Sequence, residues 1–357
     1  MGAHCRWPYV GINGVFPTAL YHCRSLQYLN LSGNNLEGEL PDDIGHGLAE
    51  NLSTLDLGLN KFNGTIPASL PMLQNLRHLT LEYNLLTGAI PLELGQLTSL
   101  QTLWLAHNPF EPSELPASFE NLTILVSLWV ANCSLVGDFP SYVVKMPQLE
   151  ILSLSENSLD GSILPGIWSL KNLQALYLYK NNFTGDIKID GFAAMSLVLI
   201  DFSENMLNGT IPEVFSHLEN LTHLDLYKNN FSGEIPTSIG RLPSLQELVL
   251  FGNRLTGILP PELGKHSSLV NVGADDNDLT GAIPEGLCAR GQLQFLVASN
   301  NHLNGPVPVG LTRCDTLELL DLHSNQLSGE IPANLVYSSP LLWKLNLANN
   351  KLSGRIC

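Results

Sequence analysis

The sequence predicts an α/β-type repeat solenoid: a right-handed superhelix of about 14 coils of roughly 24 residues, lined by a concave parallel β-sheet. Three observations predict it. The block LTHLDLYKNNFSGEIP (Leu221 to Pro236) returns as LQELVLFGNRLTGILP (Leu245 to Pro260), as LVNVGADDNDLTGAIP (Leu269 to Pro284) and as LELLDLHSNQLSGEIP (Leu317 to Pro332). An asparagine column runs through Asn34, Asn60, Asn84, Asn108, Asn157, Asn181, Asn205, Asn229, Asn253, Asn277, Asn301, Asn325 and Asn350, with Cys133 in its one gap. Ahead of each column residue the apolar positions alternate as L-x-x-L-x-L or a close variant.

Each element has a mechanical reason. The alternation in L-x-L turns alternate side chains inward, as a short half-buried strand requires. The asparagine enters a buried turn, where its amide both donates and accepts and so satisfies backbone groups of its own and the adjacent coil. Cys133 is small and tolerates burial at the same place. The glycine that follows (Gly233, Gly257, Gly281) opens backbone angles closed to other residues. The proline (Pro236, Pro260, Pro284) fixes the chain where no ladder donor is wanted. One coil buries too little to stand alone, so stability must come from stacking on neighbours.

Composition narrows the function. Thirty-three acidic against 17 basic side chains give a formal charge of -16, which argues against nucleic acid and against an anionic membrane surface. No apolar run reaches the roughly 20 residues of a membrane span, so no direct membrane insertion is expected. The opening MGAHCRWPYVGINGVF lacks the positive and apolar regions of a secretory signal. The ten histidines are scattered and no short Cys or His pairing suits a metal, so no metal site and no cofactor are expected. Gly257 to Lys265 has the wrong spacing for a phosphate loop, and two prolines remove amide donors there. Asp201 and Asp225 fall on adjacent strands without an implied acceptor pocket; no catalytic residue is assigned, and the chain is read as a non-enzyme.

The ending L-x-G-x-I-P, as in Leu255 to Pro260, resembles the plant-specific subclass of leucine-rich repeats, and the resemblance covers nearly the whole chain. The segments Gly286 to Leu317 and Asn13 to Asn34, with Cys5 and Trp7 before them, are similar to ectodomains of HAESA-like peptide-sensing receptor kinases. That resemblance implies an extracellular or plasma-membrane ectodomain that binds a secreted peptide or protein, with a co-receptor kinase ectodomain as second partner. It also implies that residues 1–25 are a degenerate N-terminal cap remnant with a partial repeat, ahead of a leucine-rich-repeat domain over 26–357. A C-terminal cap is not recognisable before Ile356 and Cys357. Family members carry an Arg-x-Arg pair for a peptide's terminal carboxylate; the matching positions here are Leu319 and Asp321, and an aspartate repels a carboxylate, so that mode is not carried over. Two other readings stay open: a soluble inhibitor of a cell-wall-degrading enzyme, resembling polygalacturonase-inhibiting proteins, and a truncated receptor product without activity.

On the concave strands the positions between the inward leucines are expected to face solvent and serve recognition. Trp104 and Trp129 should touch, as should Tyr227 and Phe251, because each pair shares a column on strands about 4.8 Å apart. With Tyr177 and Tyr179 they form the expected aromatic anchors, and Asp225 and Asp275 the expected attraction for a basic ligand. Cys288 and Cys314 lie on consecutive coils, either bridged or packed as small apolar residues. In the resembling family the N-terminal cap closes with a disulfide, which implies a Cys5–Cys23 bridge. Sequons at Asn51, Asn63, Asn121, Asn182, Asn208, Asn220 and Asn230 are expected glycan sites, whereas at Asn30 and Asn132 a glycan would obstruct the inner face.

Overall fold

The computed structural model describes residues 3–6, as backbone, and residues 11–354. The chain divides into two compact units, Met1–Asn182 and Phe183–Cys357. Each is a stack of short repeated coils.

In the first unit the strands Ala3–Arg6, Leu26–Asn30, Thr54–Asp56, His78–Thr80, Thr102–Trp104, Ser127–Trp129, Ile151–Ser153 and Ala175–Tyr177 pair in chain order, all parallel. The segment ahead of Leu26 therefore joins the stack, with Cys5 opposite Leu29. In the second unit Leu199–Asp201, His223–Asp225, Glu247–Val249, Asn271–Gly273, Phe295–Val297, Leu319–Asp321 and Lys344–Asn346 do the same. In the three-residue strands from Thr54–Asp56 to Leu319–Asp321 the middle residue points inward. Leu55, Leu79, Leu103, Leu128, Leu152 and Leu176 are fully buried in one unit, and Ile200, Leu224, Val272, Leu296 and Leu320 in the other.

Behind the strands stands the asparagine column. Asn84 donates from Nδ2 to the Leu81 carbonyl of its own coil at 3.1 Å and to the Leu57 carbonyl of the coil before at 3.0 Å; its Oδ1 accepts from the Phe62 amide at 3.0 Å. One side chain thus stitches two coils: it alone pairs the buried Phe62 amide, and it shares the Leu57 and Leu81 carbonyls with Asn60 and Asn108. Cys133 replaces only half of this. Its Sγ reaches the Leu105 and Ala131 carbonyls at 3.4 Å, but it offers no oxygen to the preceding coil. The Phe110 amide turns back instead to the Asn108 carbonyl at 2.8 Å, and Asn157 accepts from both Cys133 and Leu135.

The residue just before the column adopts left-handed angles, as at Leu59 (φ 54°), Tyr83 (φ 52°), His107 (φ 56°) and Lys228 (φ 50°). This conformation costs a non-glycine residue about 1–2 kcal/mol. It is held because the same residues donate backbone hydrogen bonds to the next coil: Leu59 to Glu82, Tyr83 to Ala106, and His107 to Ala131, each at 2.8 Å. On the far side the repeat prolines open short 3₁₀ turns, such as Leu92–Gln96 after Pro91 and Thr237–Arg241 after Pro236, which bury Leu94 and Ile239. Cys288 and Cys314 are joined by a disulfide, with Cα atoms 5.7 Å apart. Cys23 is an exposed free thiol, and the side chain of its expected partner Cys5 lies outside the described residues. Cys357 lies outside them too.

Candidate ligand-binding face

In the first unit the open face of the sheet carries an aromatic wall. Strand register sets Thr80 beside Trp104, Trp104 beside Trp129, and Trp129 beside Ser153. The two indoles meet edge to face with centroids 5.6 Å apart, a favoured aromatic geometry. Trp104 donates from Nε1 to Ser127 Oγ at 2.9 Å, which fixes its ring. Two residues absent from the sequence-predicted anchors complete the wall. Tyr83 stacks on His107 at 4.2 Å, and Trp129 stands edge-on to both, at 5.8 and 5.9 Å. Both occupy the left-handed position, which throws their rings onto the open face. Beside the wall Trp104, Trp129, Ile151, Ser153, Tyr177 and Tyr179 enclose a hollow of about 260 Å³. Tyr179 is steadied by donating from its hydroxyl to Glu156 at 3.3 Å.

The expectation that the whole column faces solvent needs correction. Asn30, Thr80, Ser153 and Asp321 are buried, because short polar side chains here bond sideways to the neighbouring strand or lie under longer ones. Asp56, for example, accepts from Asn30 Nδ2 at 2.6 Å and from Thr80 Oγ1 at 2.7 Å. Glu82 is 7% exposed, and its Oε2 has no hydrogen-bond partner. Burial, with the nearby Asp56 charge adding, raises its carboxyl to about 7. It lies against Gly58, where a Cβ would come within 2.5 Å of Oε1 and oblige the carboxyl to shift.

The second unit presents a different surface. Tyr227 and Phe251 stack face to face at 4.5 Å. Asp225 is half-buried and its Oδ1 has no hydrogen-bond partner. Burial, followed by the charges of Asp201 and Glu247, raises its carboxyl to about 7. Asp201, in contrast, accepts from the Ser203 hydroxyl and amide at 2.6 and 3.0 Å. Asp275 is raised to about 6 by burial, with Asp276 and Asp321 adding. At Asp321 burial works in the same sense, but hydrogen bonds from His323 at 2.6 Å and Lys344 at 2.9 Å outweigh it and hold the carboxyl near 2. The charge at Asp321 is thus already matched by its neighbours.

Of the sequon asparagines, Asn51, Asn63, Asn121, Asn182, Asn208 and Asn220 are exposed and Asn230 is half-buried. Asn30 is buried against Asp56, and Asn132 stands 3.2 Å from the His107 ring within the aromatic wall. Among the described residues there is no group of three or more side chains suited to a metal, and no helix long and apolar enough to cross a membrane.

Two family models, both described as leucine-rich repeat, match this chain: one over residues 50–110 and 189–255, the other over 25–46, 99–122, 148–170 and 316–337. The chain is built of leucine-rich repeats. Among curated relatives, this leucine-rich-repeat chain is 42% identical over 132 residues to receptor-like protein kinase 7 of Arabidopsis thaliana, covering 36% of the chain and 13% of that protein. It is 43% identical over 82 residues to receptor-like protein 52 of the same plant, 23% of the chain and 10% of the relative. Among solved structures it matches the ectodomain of the Arabidopsis receptor kinase HAESA, crystallised with an extended IDA peptide hormone. That match has a TM-score of 0.91 and 37% identity, over 96% of this chain and 57% of the other. A further HAESA structure, holding the peptide and the co-receptor SERK1, matches at 0.88 and 35%, over 97% and 62%. The chain is therefore homologous to plant receptor ectodomains, and it spans only 10–25% of the length of the curated relatives it matches.

Proposed function

We propose that this chain is a non-enzymatic recognition domain of a plant receptor, acting outside the cell and binding a secreted peptide or protein on the open face of its sheet. The observation that carries the reading is the aromatic wall of Tyr83, Trp104, His107 and Trp129 beside a preformed hollow. Rigid aromatic side chains with no core duty, gathered on one surface, supply large contact area at small entropic cost. The likeness to HAESA, whose structures hold a peptide hormone, supports the class of ligand. A co-receptor ectodomain is proposed as a second partner on the same likeness. The exposed sequons fit a glycosylated, secreted domain.

The test is affinity selection of a synthetic library of secreted plant peptides on the immobilised protein, repeated with Trp104→Ala/Trp129→Ala. At roughly 2 kcal/mol for a buried aromatic anchor, the double variant should lose at least about tenfold in affinity for a retained peptide while its thermal unfolding is unchanged. A retained peptide that binds the folded double variant equally well would end the assignment of the wall. Retention of no peptide would end the ligand class.

A further inference from the structure

The coils of the first unit are unequal between the column residue and the repeat proline. Asn108 to Pro116 and Asn157 to Pro165 each hold one residue more than Asn84 to Pro91 or Cys133 to Pro140. In the first long coil Pro112 stands where its neighbours have glycine, and the second ladder behind the sheet shrinks there to a single bridge, Ser113 to Leu135. The short coil that begins at Cys133 thus lies between two longer ones, and a cavity of about 420 Å³ opens over it.

Its walls combine polar and apolar groups. Glu114, Asp138, Ser141, Ser162 and Tyr142 line it, with Leu115, Pro140 and Leu164 between them. Tyr142 is 8% exposed, and its hydroxyl has no hydrogen-bond partner. Neither carboxylate takes part in the ion pairs found among the described residues. Burial pushes the Tyr142 hydroxyl away from ionisation, so it remains a donor. A buried hydroxyl left unpaired is destabilising, and a bound partner would offset that loss.

The chemistry of the lining selects the occupant. Carboxylates only accept hydrogen bonds, whereas tyrosine and serine hydroxyls both donate and accept. An ammonium ion brings donors alone and offers no acceptor to the protons of the Tyr142, Ser141 and Ser162 hydroxyls, while an anion is repelled by Glu114 and Asp138. A neutral sugar ring carries hydroxyls of both kinds and a C–H face for Leu115, Pro140 and Leu164. The volume falls within the range of small-molecule sites. We propose that this cavity binds a neutral glycosyl residue, at a site distinct from the aromatic wall.

That residue could belong to a soluble oligosaccharide or to a protein-linked glycan, and the test separates the two. Saturation-transfer NMR on the enzymatically deglycosylated protein would use cellobiose, chitobiose, digalacturonate and spermidine as probes. Transfer to a neutral disaccharide is expected, with none to digalacturonate. Cellobiose alone would indicate a soluble glucan and chitobiose alone a protein-linked glycan, each supporting the site. The Glu114→Gln/Asp138→Asn variant should weaken binding at least about fivefold, and Tyr142→Phe, which keeps the buried ring, should weaken it as well. The proposal is overturned if neither neutral disaccharide shows transfer at about 10 mM, weaker than the millimolar limit of useful recognition. It is equally overturned if transfer survives in both folded variants, or if spermidine is preferred.

Discussion

At the scale of single residues, two carboxyl groups report on the open face through pH. Asp225 in the second unit and Glu82 in the first are both raised by burial to about 7, and neither is compensated by a cation. An unfolded chain releases such protons near pH 4, so between about 4 and 7 the folded state binds more protons than the unfolded one. Stability therefore falls as pH rises through that window. Thermal unfolding of the native protein should come at a higher temperature at about pH 5 than at about pH 7.5. Asp225→Asn and Glu82→Gln should each narrow that gap by raising the Tm at the upper pH. A gap of the same size in both variants would mean that these carboxyls are solvated. The strained residues ahead of the column belong to this scale too. Tyr83 lies outside the strand periodicity that singles out Trp104 and Trp129, because only its left-handed backbone angle carries the ring onto His107.

At the scale of one coil, the column asparagine is the connector. Asn84→Ala would strand the Phe62 amide away from water, while the Leu57 and Leu81 carbonyls keep the Asn60 and Asn108 side chains as donors. With one buried donor left unpaired and two shared hydrogen bonds lost, the loss of stability should be about 2–3 kcal/mol in urea unfolding. Cys133→Ala should cost less than half of that, since the Phe110 amide already has another acceptor and only weak S–H bonds are lost. Equal costs at the two positions would refute the division of labour. The leucine, asparagine, glycine and proline positions of the coil were all legible in the sequence because each answers a local demand of backbone geometry or burial. The burial of Thr80 and Ser153 was not, since it depends on what the adjacent strands carry.

At the scale of the molecule, stability is a sum of contacts between nearest neighbours, so a local change should stay local. The Cys288–Cys314 disulfide closes a loop of 26 residues within the second unit. In the chain-entropy view such a loop contributes about 3 kcal/mol. Replacing both cysteines by serine should speed amide hydrogen exchange in Asn271–Gly273, Phe295–Val297 and Leu319–Asp321. Protection of Thr54–Asp56 and His78–Thr80 in the first unit should be unchanged. A uniform rise in exchange along the chain would contradict the nearest-neighbour account.

The sequence by itself determined the repeat, the inward leucines, the buried asparagine column and the meeting of Trp104 with Trp129, since all follow from periodicity and strand spacing. Only the tertiary structure decided which outward positions stay open, how Tyr83 and His107 extend the wall, and that Cys288 and Cys314 are bridged. It also decided that a one-residue difference in coil length opens a cavity beside Tyr142. These outcomes depend on side chains and loop paths from coils more than 20 residues apart in sequence, and local pattern carries no record of such contacts.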